Sequence, residues 1–191
     1  MTELQPTYLL RPMQRSDAQA LLDGRNSELV HPFLFSNHKI TGEEHERWVQ
    51  KKLASADMQV FVFLHKNTPI GMVNLTHLDS EHGRGEWGFH IWAADAPKGA
   101  GTCMLAAFLD ETFLRRGLRK LCALVLCTNA RSLHLHRKLG FSEEGLFKEH
   151  VMKNNISQDV AAFALFDRDW RSKREHFVSS LAQVHTGGVA P

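Results

Sequence analysis

The spacing of apolar residues changes at Pro97, and that change limits the folds open to the chain. Before it, apolar residues gather in short β-like runs at 8–11, 58–65, 70–78 and 85–93. The middle pair is separated by Lys66-Asn67-Thr68-Pro69 and reads as a hairpin. After it, Met104, Leu105, Phe108, Leu109 and Phe113 recur at helical spacing until Gly117. A near-continuous apolar strand follows at 120–127, the pattern of a strand covered on both faces. Asn129 then opens a helix that ends at Gly140, with Leu133, Leu135 and Leu139 on its apolar side. Strands are expected at 141–151 and 160–166 around Lys153-Asn154-Asn155, then a helix over 168–181 and a disordered tail at 185–191. Toward the start, Ser16 or Asp17 can cap a short helix over 18–25. Thr41-Gly42-Glu43-Glu44 has capping-box spacing for a helix running through Trp48 to Leu53.

The predicted order is therefore β-α-α-β-β-β-α-β-α-β-β, an α/β chain with a mixed sheet and helices on its faces. Only 85–93 and 120–127 need be parallel neighbours. Rossmann and P-loop domains alternate strand and helix throughout, and this chain does not. Its 191 residues suit one domain over 1–170 with a helical extension and tail at 171–191.

Lys plus Arg number 23 against 21 Asp plus Glu, so no basic footprint marks a nucleic-acid binder. The apolar runs are too short to cross a membrane, and residues 1–6 lack a signal pattern. Three cysteines, an odd count, suit a reducing compartment, so a soluble cytoplasmic protein is expected. Twelve histidines invite a metal reading. Yet His134 and His136 fall on different sides of a helix, and neither Cys-x-x-Cys nor His-x-x-x-His spacing occurs, so no metal site is expected.

Lys98-Gly99-Ala100-Gly101-Thr102 lies between the third strand of the meander and the long helix. Two glycines there allow close backbone approach, and the helix N-terminus favours phosphate. Met104 occupies the third position of a Gly-x-Gly-x-x-Gly pattern, and no Gly-Lys-Ser/Thr occurs, which excludes both common nucleotide loops. Alone, the turn is equally a plain helix start.

A second motif follows the apolar strand: Asn129-Ala130-Arg131-Ser132-Leu133-His134-Leu135-His136-Arg137-Lys138-Leu139-Gly140-Phe141. Together with the glycine turn it resembles the GCN5-related N-acetyltransferases (GNAT superfamily) over most of 7–170. The resemblance implies acetyl-CoA as cofactor, held in a gap where the two parallel strands splay apart. Lys98, Gly99, Ala100, Gly101 and Thr102 would meet the pyrophosphate, and Asn129 and Ser132 the pantetheine arm. The backbone at Ile91 and Trp92 would hold the acetyl end. The chain departs from the family at Ala96, where an Arg or Gln is common, and at His136, where many members have a Tyr that protonates the leaving thiolate.

Amide formation needs a neutral amine and a proton for sulfur. Glu86 is the candidate base, directly or through water, and His136 the candidate acid, since imidazole exchanges protons near neutral pH. The bland alternatives are an exposed strand carboxylate and a helix-surface histidine.

Arg25-Asn26, Ile40-Thr41, His45, Trp48 and Glu86-Trp87-Gly88-Phe89-His90-Ile91 resemble one branch of the superfamily, the N-acetyltransferases of pseudaminic acid synthesis. These acetylate the 4-amino group of a UDP-linked 4-amino-4,6-dideoxy sugar. The resemblance implies acceptor contacts from Arg25, His45, Asn74, Thr76, His77, Glu86 and His90. Arg25 and histidines suit a diphosphate, and Asn74, Thr76 and Glu86 suit sugar hydroxyls and an amine. The alternative acceptors are ribosomal-protein N-termini or a polyamine, although Glu43-Glu44-Glu46 is the chain's one acidic cluster outside the motifs. A non-catalytic acyl-CoA-binding module is the third reading. Family members often dimerise, which also admits a homodimer built on the C-terminal strands or 168–181.

Overall fold

The structure is a computed structural model and describes residues 7–55 and 59–187. Met58, at the expected start of a strand, and residues 188–191 of the expected tail lie outside the described residues.

Eight strands form one mixed sheet in the order β6-β7-β5-β4-β3-β2-β1-β8. In chain order these are β1 (Tyr8–Pro12), β2 (Val60–His65), β3 (Thr68–Asp79), β4 (Arg84–Ile91), β5 (Lys120–Leu126), β6 (Ser142–Lys153), β7 (Ile156–Phe166) and β8 (Val184–Thr186). The helices are α1 (Ala18–Asn26), α2 (Gly42–Leu53), α3 (Ala100–Asp110), α4 (Ala130–Leu139), α5 (Asp167–Lys173) and α6 (Val178–Leu181). The chain therefore has the mixed α/β architecture expected of it, with β4 and β5 as parallel neighbours.

β2 shows how the sequence builds two cores at once. Its Val60, Val62 and Leu64 pack with Leu21 of α1 and Val49 of α2, while Phe61 and Phe63 point to the α3 side. Both sets are buried, which is why 60–64 is apolar without alternation. α3 is buried almost all round, from Ala100 through Leu109 apart from Gly101. The sheet covers one side, and the C-terminal segment packs on another with Leu181, Val184 and Phe177.

Local signals set the helix ends. Thr41 Oγ1 accepts from Glu44 N at 3.2 Å and Glu44 returns the bond to Thr41 N, a capping box that contributes about 1 kcal/mol. Gly140, with φ +94°, ends α4 in the left-handed conformation.

The C-terminal part departs from expectation. The helix over 168–181 breaks into α5, a 3-10 turn and α6, where Phe177 folds back onto Trp170, whose Nε1 donates to Asp110 at 2.9 Å. His185 and Thr186, expected in a disordered tail, belong instead to β8, parallel to β1 through the register Tyr8↔Val184 to Leu10↔Thr186. Three residues are too few to show a period, and only the open edge of β1 makes them a strand. β7 also starts earlier than expected, because hairpin pairing with β6 extends it through exposed residues that carry no apolar pattern.

Candidate active site

β4 and β5 pair only at Arg84↔Lys120, Gly85↔Leu121 and Glu86↔Cys122. Beyond Glu86 the strands part, and a cavity of about 520 Å³ opens between them, within the usual range for a small-ligand site. Its walls include Trp87 to His90 on β4 and Ala123 to Leu126 on β5, with Asn129, Ser132 and His136 behind. Residues of α1, α2 and the loop between them close the other side.

Sheet alternation prepares the gap. The N–H of Trp92 donates to Ile70 O at 3.0 Å, toward β3, so the N–H of Ile91 faces the opposite, unpaired side. The Trp92 side chain goes elsewhere: a Cβ added to Gly24 of α1 would lie 2.4 Å from its ring, so Gly24 is what lets the indole lie against the helix. Trp92 thus joins β4 to α1, and with its N–H spent on β3 it does not meet the expectation of a backbone donor at the gap, which falls to Ile91.

The glycine turn continues from β4 into α3. Gly99 caps the helix at φ +95°, in open space, where any other residue is strained. Gly101 lies over Ile91 and Leu135, with an added Cβ 3.7 and 3.6 Å from their side chains. Thr102 Oγ1 accepts from Lys138 Nζ at 3.0 Å, which places an α4 cation beside the start of α3. Asn129 Oδ1 accepts from Ser132 N at 3.1 Å and so caps α4 at the edge of the cavity. An open strand edge, a helix N-terminus with a cation beside it and an exposed glycine turn fit the polar, diphosphate-bearing chain of acetyl-CoA.

His136 is 2% exposed, and both of its nitrogens are engaged. Nδ1–H donates to Ser132 O at 2.8 Å, and Nε2 accepts from Trp87 Nε1 at 3.1 Å. Phe163 stacks on the ring while Trp87 and Phe141 meet it edge-on. Burial pushes its pKa down to about 4, so at neutral pH it is a neutral imidazole with a fixed tautomer. Such a ring holds no proton free for a thiolate. The geometry suits a part that orients Trp87.

Glu86 is on the cavity wall, where its Oε2 accepts from His77 Nδ1 at 3.0 Å. His77 is 77% exposed and does not line the cavity, so the pair spans from the site to solvent. His77 sits at φ +48°, where the β3–β4 pairing is irregular. Thr76 also stands outside the cavity and makes a long bond to Glu86 O at 3.4 Å.

Arg25, His45, Asn74 and His90 all line the cavity. The His45 ring donates through Nε2 to Ala18 O at 2.7 Å and stacks on Trp48, tying α2 to α1. Asn74 lies across β4 above Gly88, where a Cβ would come within 2.9 Å of its Oδ1. His90 keeps a buried Nε2 without a partner, and burial, reinforced by the charge of Arg25, holds its pKa at about 4. Arg25 donates through Nη2 to Ser36 Oγ at 3.0 Å, while its buried Nη1 has no partner.

The pairing of Arg25-Asn26 with Ile40 in the sequence has a structural cause. Asn26 donates to Ile40 O at 2.9 Å and accepts from Ile40 N at 3.0 Å, closing the α1–α2 loop and holding Arg25 inward. Sequence reasoning passed over that loop, whose Phe33, Leu34 and Phe35 complete the cavity wall. A short apolar stretch beside a proline carries no periodicity that marks it as a binding surface.

The chain matches the acetyltransferase (GNAT) domain family over residues 8–142. It is 24% identical over 166 residues to the spermidine N(1)-acetyltransferase of Escherichia coli (strain K12), covering 87% of this chain and 89% of that one. Among solved structures, a spermidine N-acetyltransferase from Vibrio cholerae in complex with CoA and spermine superposes with a TM-score of 0.80 at 23% identity, covering 86% of this chain and 98% of that one. An N-acetyltransferase from Staphylococcus aureus Mu50 gives a TM-score of 0.73 at 20% identity, covering 84% and 98%. With its splayed strands, glycine turn and matched domain, this chain belongs to the GNAT family and is an acetyl-CoA-dependent N-acetyltransferase.

Proposed function

We propose that the chain acetylates a small amine that also carries an anionic group, of which the 4-amino group of a UDP-linked 4-amino-4,6-dideoxy sugar is the example its residue pattern fits. Arg25 is the observation that carries this reading. Desolvation of its guanidinium in the cavity wall lowers its pKa, partly offset by the charge of Glu44, and no salt bridge holds it among the described residues. A half-buried cation with one buried, unused N–H gains a charge-assisted bond when an anion arrives.

A polyamine is the second reading, favoured by what the E. coli and V. cholerae relatives are named for. Against it, a polycation would have to lie beside Arg25. Glu44 and Glu86 are the cavity's carboxylates, and Glu44 is held in the Thr41 capping box. The cavity thus offers a polycation two carboxylates, one of them already facing Arg25.

Bound acetyl-CoA supplies the activated acetyl group. Glu86 takes the proton of the attacking amine, His77 orients the carboxylate and connects it to solvent, and the departing sulfur of the cofactor would take its proton from water, His136 having none to give. The unpaired N–H of Ile91 is placed to meet negative charge on the carbonyl oxygen. Holding both reactants in one cavity removes the need for a covalent enzyme intermediate.

The test is acetyl-CoA consumption with three acceptors: the UDP-amino sugar, spermidine and a ribosomal-protein N-terminal peptide. Turnover of the sugar alone, weakened by Arg25→Ala, is the expected result. Turnover of spermidine that Arg25→Ala leaves intact or improves would replace this reading with the polyamine one.

A further inference from the structure

The loop from α1 to α2 forms one wall of the cavity, yet what grips its middle comes from far along the chain. Lys153, at the end of β6, donates to three carbonyls of that loop: His31 O at 3.2 Å, Leu34 O at 2.7 Å and Ser36 O at 3.2 Å. An ammonium has three N–H donors, and each has a carbonyl here. No salt bridge holds Lys153 among the described residues, and its protein partners are these backbone carbonyls. A second grip sits beside it: Asn37 Nδ2 donates to Met152 O at 3.0 Å, and Asn37 Oδ1 accepts from Asn154 N at 3.3 Å.

The gripping element ends in a tight turn. Asn154 and Asn155 have φ of +51° and +63°, the pattern of a tight two-residue hairpin turn whose twist matches its strands. Both β6 and β7 are long, and their pairing resumes at Val151↔Gln158, next to the turn. On the inner side of the loop, Ser36 Oγ accepts from Arg25 Nη2. The loop is thus held between Arg25, facing the cavity, and Lys153 behind it.

We propose that Lys153 is a positioning residue for the acceptor: by gathering the carbonyls of residues 31, 34 and 36 it fixes Phe33, Leu34 and Phe35 as a cavity wall and keeps Ser36 against Arg25. This rests on the reading of the cavity as the acceptor site. It adds that acceptor affinity depends on a hairpin 119 residues from the loop it holds. Methionine at 153 keeps the aliphatic stem and removes the three donors. Arginine keeps the charge but spreads it over a planar fork that cannot converge on the same three oxygens.

The test compares Lys153→Met and Lys153→Arg with the unaltered chain in two ways. Amide hydrogen exchange reads the loop without any acceptor. Steady-state kinetics uses whichever of the UDP-amino sugar and spermidine is turned over faster. Lys153→Met is expected to speed exchange at residues 31–37 at least tenfold while β5 keeps its protection. It should also raise the acceptor KM about tenfold, with kcat and the acetyl-CoA KM within threefold, and Lys153→Arg should recover part of the loss. Unchanged loop exchange would overturn the proposal, since the loop would then hold itself. So would faster loop exchange with an unchanged acceptor KM, or a general rise in exchange with both KM values moving together. Because the exchange arm needs no acceptor, failure of the acceptor reading is distinguished from failure of the clasp.

Discussion

The two sides of the cavity are built differently. The side that fits the cofactor is local: β4, the glycine turn, α3, β5 and α4 are consecutive in the chain, and what they present are backbone N–H groups, a helix start and a cap. The other side is assembled from α1, a loop, α2, β3 and the β6–β7 turn, and side-chain bonds between residues distant in sequence hold it together. A wall made of backbone geometry tolerates change at most side chains but not at its glycines. A wall made of side chains can be retuned for a new acceptor one residue at a time. That contrast accounts for a family whose members share one acetyl donor and differ in acceptor.

Substitutions on each side sharpen the contrast. Glu86→Gln, on the acceptor side but at the chemistry, should lower kcat by about 10²–10⁴-fold at pH 7 if it is the base, measured by thiol release from acetyl-CoA. Retained turnover across pH 6–9 would transfer the role to solvent.

Acid should act on both sides at once. His90 and His136 both have pKa values held near 4 by burial, below the ordinary value of 6.5. Their neutral forms favour the folded chain above pH 6.5, and that contribution is lost as pH falls toward 4. His136, the more fully buried of the two, is worth on the order of 3 kcal/mol, so the urea midpoint should drop between pH 7 and pH 4.5. A midpoint independent of pH over that range would show that neither ring is as buried as described. His136→Phe should remove part of this slope and cost about 1–3 kcal/mol at neutral pH, because Trp87 Nε1 is left without an acceptor.

Arg25→Ala should raise the KM of an anionic acceptor roughly 10–100-fold, the loss of one or two charge-assisted bonds, and leave the acetyl-CoA KM unchanged. The smallest effect falls on the cofactor side. Gly99→Ala, forced to φ +95°, should lower stability by about 1–2 kcal/mol and weaken acetyl-CoA binding, without touching the acceptor KM. Equal movement of both KM values would break the division of the cavity into two halves.

The same division decides what was legible in the sequence. The element order foretold the parallel pairing of β4 and β5, and the glycine turn and Asn129 motif are short and physically explicit, so their resemblance to one family pointed to a cofactor side. Glu86, Arg25, His45, Asn74 and His90 do meet at one cavity, whereas Thr76 and His77 stand behind it. What sequence left dark depends on distance or burial. Lys153 looks like any lysine at a turn until Leu34 is found beside it. His136 looks like a proton donor until the packing of Trp87 and Phe163 shows that its ring is neutral and spoken for. β8 carries no pattern of its own and exists because β1 offers it an edge.

That last strand has a mechanical consequence. β1 and β8 are parallel, so tension applied at the start of one and the end of the other runs along both strands in opposite directions. The bonds joining Tyr8 to Gln183 and Gly187 to Leu10 would then be loaded together in shear instead of opening one by one. Pulled by its two ends, the molecule resists through its shortest strand, and once that strand slips the cover over α3 is the first part of the core to go.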